Sequence, residues 1–151
     1  MEVGVARPVS LVGHGLTRDS EAMHYLRRKR PPVLMGFNPK IQLLHVEDFV
    51  SAIVALCAPG TRGPFNISGP PPASLHSVLD ALGARPIPVP RLLLDSVVDR
   101  LWSLRASRVR PEELDFLQYS CIVSDAALRK ATDYRPSFGL LDTIAAVNAA
   151  Y

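Results

Sequence analysis

Apolar residues along this chain change period several times, from short unbroken runs to a spacing of three to four. Val3 to Val9 reads as a short buried strand that stops at Pro8, and the Gly13-His14-Gly15 triplet after it supplies the backbone freedom of a turn. Thr17 to Arg30 has the long, charged side chains of a helix, with Thr17 or Asp19 as its cap and Pro31-Pro32 as its stop. Val33 to Phe37 and Ile41 to Val46 flank Asn38-Pro39-Lys40 and predict a hairpin. In Glu47 to Ala58, Phe49, Val50, Ile53, Val54 and Cys57 recur at helical spacing. Two acids in the first turn suit the helix dipole, and Pro59-Gly60 ends the run. Phe65 to Ser68 then reads as a strand, and strand, helix, strand in that order predicts a right-handed parallel crossover.

Beyond the Gly69-Pro-Pro-Pro72 breaker, Ser74 caps a helix to Leu82, and the prolines of Arg85 to Pro90 allow only an extended edge or linker. Arg91 to Arg105 is amphipathic, with Leu94, Val97, Val98, Leu101 and Leu104 on one face. Packing on the protein's own core accounts for that stripe better than a membrane surface or a partner. Short helices are expected at Pro111 to Gln118 and Ser124 to Ala131, an extended piece at Cys121 to Val123, and a last helix at Gly139 to Ala149. No internal repeat is visible.

At 151 residues, 48% hydrophobic and 21% charged, the chain has the makings of one globular domain. Its net charge of +3 is too small to demand nucleic acid, although 14 of the 17 basic residues are arginine, which suits an anionic partner. The densest run, Arg27-Arg-Lys-Arg30, reads as cations at a helix C-terminus. Two cysteines, Cys57 and Cys121, make no disulfide framework, and a reducing cytoplasm fits them. Neither a secretory signal nor a run of 18 apolar residues is present, so no membrane span is expected. The four histidines have no ligand-like spacing, which argues against a metal site, and no Gly-x-Ser-x-Gly elbow supports Ser10, His14 and Asp19 as a hydrolase triad.

Four segments carry a resemblance. They are Ala6-Arg-Pro-Val-Ser-Leu-Val-Gly-His-Gly15, Ile41-Gln-Leu-Leu-His-Val-Glu-Asp48, Gly63-Pro-Phe-Asn-Ile-Ser-Gly69 and Tyr134-Arg-Pro-Ser-Phe138. Together they resemble the C-terminal half of the extended short-chain dehydrogenases, the NAD(P)-dependent epimerase/dehydratase family. The resemblance implies an α/β fold: an incomplete Rossmann-like edge made of the last parallel strands (residues 1–16 and 47–69), with a small α/β substrate-binding lobe (residues 17–46 and 70–151).

Residue by residue, the resemblance puts Pro8 and Val9 against the nicotinamide and Ser10 where a substrate-binding residue sits. Met35, Phe37, Lys40 and Gln42 fall in the substrate-binding stretch. There the family commonly has Gly-x-Gly and then Arg-Asp before its His-Val pair, the Arg fork gripping a diphosphate. Here Ile41 and Gln42 stand at the Arg and Asp positions. That departure favours a less phosphorylated or more apolar substrate. His45-Val46-Glu47-Asp48 keeps the pattern, with Asp48 expected to serve the start of its helix. The Tyr134 turn is expected to be structural.

The family's catalytic base is a Tyr whose pKa is lowered by a Lys four positions on, and its dinucleotide loop is rich in glycine. None of Tyr25, Tyr119, Tyr134 or Tyr151 has that Lys, and no such loop occurs in these residues. No catalytic residue is therefore assigned. NAD or NADP is expected only where a nucleotide-binding half completes the fold, whether supplied by a second polypeptide or encoded ahead of Met1. The resulting expectation is the substrate-binding part of an epimerase, dehydratase or related reductase, inactive alone and taking a small-molecule substrate. The alternative is a non-catalytic interaction module that keeps the fold.

Overall fold

The computed structural model describes residues 4–14, 21–94, 96, 100 and 115–148. Among these the elements run β1 (Gly4–Pro8), β2 (Ser10–Val12), α1 (Glu21–Leu26), β3 (Pro32–Leu34), β4 (Lys40–Ile41), β5 (Leu43–His45), α2 (Val46–Leu56) and β6 (Gly63–Ile67). They continue as β7 (Ala73–Ser74), α3 (Leu75–Ala81), β8 (Ile87–Val89), α4 (Ala126–Ala131) and α5 (Leu140–Asn148). Three strand pairs are parallel, β1 with β6, β2 with β5 and β3 with β8; β4 and β7 are antiparallel. A mixed α/β fold with short parallel pairs is what the resemblance implies.

The β2–β5 ladder divides the interior. Successive strand residues point to opposite faces, and here both faces are buried. Leu43 and Val12 belong to a core with Met23, Leu34, Leu75, Val78, Leu79 and Val147. Leu44, and the Leu11 paired with it, face a second core with Ala52, Phe65, Ile67, Leu128 and Tyr134. A strand covered on both sides reads as an unbroken apolar run, which is why Leu43-Leu44 shows no alternation.

Each local departure from the predicted elements has a pairing or capping reason. The strand expected within Val3–Val9 forms as β1 but is not buried, since four of its five residues are exposed and β6 is its one partner among the described residues; a further strand, β2, follows it where only a turn is expected. The predicted hairpin of Val33–Phe37 with Ile41–Val46 does not form, since β3 takes β8 as its partner and β5 takes β2. Likewise the strand before α2 is not in the ladder of the strand after it: β6 pairs with β1 in the register Ala6↔Phe65 and Pro8↔Ile67. The proline-rich Ile87–Val89 is indeed an edge, and parallel pairing with Pro32–Leu34 tolerates Pro88 there. The helix expected at Thr17–Arg30 is described only over Glu21–Leu26, and most of Arg91–Arg105 and Pro111–Gln118 lies outside the described residues.

Helix ends follow their sequences closely. Ser74 Oγ accepts the Ser77 N–H at 3.2 Å and caps α3 as expected. The C-terminus of α3 closes with Ala84 N–H donating to Leu79 O and Gly83 N–H to Asp80 O, both at 3.0 Å, around Gly83 at φ +69°. For α2 the cap is His45, whose Nδ1 accepts the Glu47 N–H at 3.3 Å. Asp48, expected to serve the start of this helix, sits in its first turn, is buried, and aims its carboxylate at the Ser137 and Phe138 amides.

Candidate functional site

β1 and β2 meet at Val9, whose N–H donates to Ile67 O at 3.1 Å and carries the chain past the end of β6. Pro8, Val9 and Ser10 thereby line, together with Ile41, Gln42 and Leu43, a cavity of about 310 Å³. Its far wall is the 116–123 segment. Gln42 holds that wall: its Oε1 accepts the Val123 N–H at 2.8 Å, and its Nε2 donates to Val123 O at 3.2 Å. A primary amide carries one acceptor and two donors, so one side chain satisfies both backbone groups of a segment that has no ladder of its own. Ser120 Oγ adds a second tie by accepting the Lys40 N–H at 2.8 Å.

Of the seven residues the resemblance singles out, the structure brings four together at this cavity: Pro8, Val9, Ser10 and Gln42. The other three lie outside its lining. Met35 and Phe37 are exposed in the turn after β3, and Lys40 is exposed in β4. Among the described lining residues none is charged, because Ile41 occupies the position where the related pattern has Arg.

Six further lining residues carry no motif that marks them: Tyr25, Leu26, Leu75, Phe116, Cys121 and Val123. Tyr25 meets Phe116 edge to face with ring centroids 5.2 Å apart, and its hydroxyl donates to Pro32 O at 2.7 Å. Burial pushes the Tyr25 pKa well above the ordinary tyrosine range, against a smaller lowering from the Arg28 charge, so this hydroxyl stays neutral. Long-range packing alone assembles these side chains, and only the apolar character of their neighbourhoods hints at it.

A second cluster gathers side chains of catalytic type and spends them on structure. Tyr134 is buried and donates its hydroxyl to Ser68 O at 3.1 Å. Burial, reinforced by the Asp48 and Asp125 charges, pushes its pKa up to about 12. Asp125 binds Arg129 at 2.7 Å. Burial alone would raise the Asp125 pKa, but hydrogen bonds from Arg129 and Ser68 outweigh it and hold the carboxyl below its usual value. Asp48 accepts the Ser137 N–H at 2.7 Å and the Phe138 N–H at 3.3 Å, and the Phe138 ring stacks on His45 at 3.7 Å. The cluster latches the Tyr134–Phe138 turn onto α2 and β6. A structural role for this turn, as expected, follows from these contacts.

For a nicotinamide dinucleotide the described residues fit one wall. Pro8 and Val9 line the cavity, but no cation or glycine-rich helix start stands there to hold a pyrophosphate. Among the described residues no group of three or more His, Cys, Asp or Glu can hold a metal ion, and no helix is long and apolar enough to cross a membrane.

No family model matches the chain. An uncharacterized protein of Mycobacterium tuberculosis is 23% identical over 136 residues, which cover 90% of this chain and 36% of the relative. The Bordetella bronchiseptica enzyme WbmG, solved in complex with NAD and UDP, superposes with a TM-score of 0.66 at 14% identity over 98% of this chain and 42% of its own. An epimerase from Methanothermobacter thermautotrophicus gives 0.66 at 15% identity over 97% and 42%. The chain thus has the Rossmann-like fold of epimerase/dehydratase structures over nearly its whole length, while spanning less than half the length of these proteins. At such identities the likeness is one of fold.

Proposed function

We propose that this chain is the substrate-facing portion of an NAD(P)-dependent oxidoreductase or isomerase of the epimerase/dehydratase kind, active only with a nucleotide-binding unit. The cavity behind Pro8, Val9 and Ser10 takes a substrate with little or no charge. The observation that carries this reading is the uncharged lining of that cavity at the residues the resemblance assigns to nicotinamide and substrate. A diphosphate buried there without a cation would go unpaired, at a cost of several kcal/mol per charge.

Two features support completion by a further unit. β1 pairs with β6 on one side and has no second partner among the described residues. Val5, on the sheet face away from the Ala6 core contacts, is 45% exposed. An open parallel edge beside an uncovered apolar residue is a template for another strand. A reducing, cytoplasmic setting accords with two free, exposed cysteines.

Residue-resolved amide NMR tests the substrate side. Titration with cyclohexanone, an uncharged ketone, is expected to shift the Val9, Ser10 and Val123 signals saturably, while UDP leaves those three signals in place. Saturable UDP shifts at Val9, Ser10 and Val123 would overturn the proposal. So would cyclohexanone shifts spread evenly over the protein.

A further inference from the structure

The Arg27-Arg28-Lys29-Arg30 run takes no part in the apolar cavity, and the fold gives it a facing segment. The Arg85 N–H donates to Lys29 O at 2.8 Å, which lays residues 82–85 beside residues 26–30. With Asn148 these two segments line a cavity of about 480 Å³, on the other side of Leu26 from the apolar one. Its cations are Arg27, Arg28, Lys29, Arg30 and Arg85, and no carboxylate is among its lining residues.

Part of that charge serves the fold. α1 and α3 end at this cavity, and Arg27 Nε donates to Val147 O at 2.8 Å in the last described turn of α5. So Arg27 complements a helix other than the one it follows. A helix C-terminus is worth about half a negative charge, so three such ends supply roughly −1.5 at most, and short helices supply less. Five formal positive charges leave an excess of more than three, and Arg28, Lys29, Arg30 and Arg85 are all exposed around the cavity.

We infer that this cavity binds a small phosphorylated anion of about the size of a diphosphate, at a place separate from the substrate cavity. The volume lies within the range of about 300–1,000 Å³ usual for small-molecule sites, and a concave pocket suits a compact anion better than a flat surface does. Guanidinium groups present paired N–H donors that match phosphate oxygens, which the three arginines besides Arg27 can offer from both lining segments.

Calorimetric titration of the full chain with inorganic pyrophosphate at low ionic strength tests the inference. Saturable binding is expected, weakened by about tenfold or more in the Arg28→Ala/Arg85→Ala double variant, as loss of charge-assisted contacts requires. Arg135→Ala, which removes an exposed arginine elsewhere, should leave the affinity within about twofold. UDP bound with the same dependence on Arg28 and Arg85 supports the site and separates a nucleotide-borne diphosphate from a free one. Arg30→Ala supplies a second reading, with an unchanged urea midpoint as the folding control. Absence of saturable pyrophosphate binding, or an equal loss in Arg135→Ala, overturns the inference.

Discussion

The Asp48 carboxylate and the Ser137 N–H lie 2.7 Å apart across 89 residues of sequence, and the second oxygen of Asp48 takes the Phe138 N–H. One buried side chain on α2 therefore fixes the turn that leads into α5. Asp48→Ala leaves two amides without an acceptor and is expected to lower stability by about 3 kcal/mol, whereas Asp48→Asn keeps one acceptor and loses about 1 kcal/mol. Urea unfolding of the two variants checks the order. Equal losses would mean the carboxylate charge, not the pair of hydrogen bonds, holds the turn.

Tyr134 anchors the same turn through Ser68 O, and its pKa is raised from 10.0 to about 12. A raised pKa means the folded state holds the proton more tightly than the unfolded one. The stabilising contribution is therefore complete below pH 10 and declines as pH rises toward 12. Tyr134→Phe should cost about 1 kcal/mol at pH 7 through the lost hydrogen bond and should flatten part of the alkaline decline. Unfolding midpoints between pH 8 and pH 11.5, as about the range a protein tolerates, read both effects. An alkaline limb identical to the unmutated protein's would rule out this role.

How much of this was readable from the residues differs by level. Ser74 and Pro59-Gly60 announce helix ends locally, and the structure agrees with them. The apolar face expected for α2 holds only at Phe49 and Ile53, because Val50, Val54 and Cys57 are exposed and Asp48 and Ala52 are the buried residues. Strand partners are another matter. Asn38-Pro39-Lys40 favours a turn and so suggests a hairpin, but Val33 and Leu34 find a better place beside Pro88 and Val89 of β8. Nothing local encodes that choice, because it depends on burying Leu34 in the first core. At the cavity, Pro8, Val9, Ser10 and Gln42 were legible through motif, while Phe116 and Val123 arrive through a contact 81 residues long in sequence, the Gln42–Val123 pair. Met35, Phe37 and Lys40 belong to the same motif yet lie outside the cavity, since a motif fixes spacing along the chain and not the course of the turn.

Gly69 supports a prediction about backbone approach. A Cβ built there would stand 2.6 Å from Leu43 O and 3.3 Å from Leu44 Cα, both backbone atoms of the strand that divides the two cores. Gly36, at φ +80°, has nothing within 4 Å of such a Cβ. Gly36→Ala should therefore cost only the strain of a left-handed conformation, about 1 kcal/mol. Gly69→Ala must push β5 aside and should cost about 3 kcal/mol or more. A larger loss at Gly36 than at Gly69 in thermal unfolding would contradict the packing argument.

Asp125 gives the acid side of the pH profile. Its pKa is held below the usual 3.8, so the folded state favours the ionised form. That contribution is present above pH 3.8 and is lost as pH falls through the folded value. Asp125→Asn should weaken the tie to Arg129, cost about 1 kcal/mol at pH 7, and make the remaining stability less sensitive to acid below pH 4. Unfolding curves at pH 7 and pH 3.5 for both proteins decide it. An unchanged difference between the two pH values would mean that the Arg129 bond has no bearing on acid stability.

Ile41 offers the most direct handle on substrate charge. It lines the same cavity as Pro8 and Ser10, at the position where the related pattern carries Arg, and it is half-buried against the first core. Ile41→Arg places a guanidinium at the mouth of an uncharged pocket. Its long stem can lie along the apolar wall while the head reaches the opening, which keeps the expected loss of stability to about 1–2 kcal/mol. With a cation in place, a diphosphate entering the cavity is no longer unpaired. UDP should then shift the Ser10 and Val123 amide signals of the variant saturably, at concentrations about tenfold or more below any that affect those signals in the unmutated chain. Cyclohexanone binding should weaken in the same variant, because the new charge narrows and polarises the opening. Should UDP leave Ser10 and Val123 untouched in a folded Ile41→Arg protein, the charge of residue 41 does not set what the cavity accepts, and an uncharged substrate loses its main support.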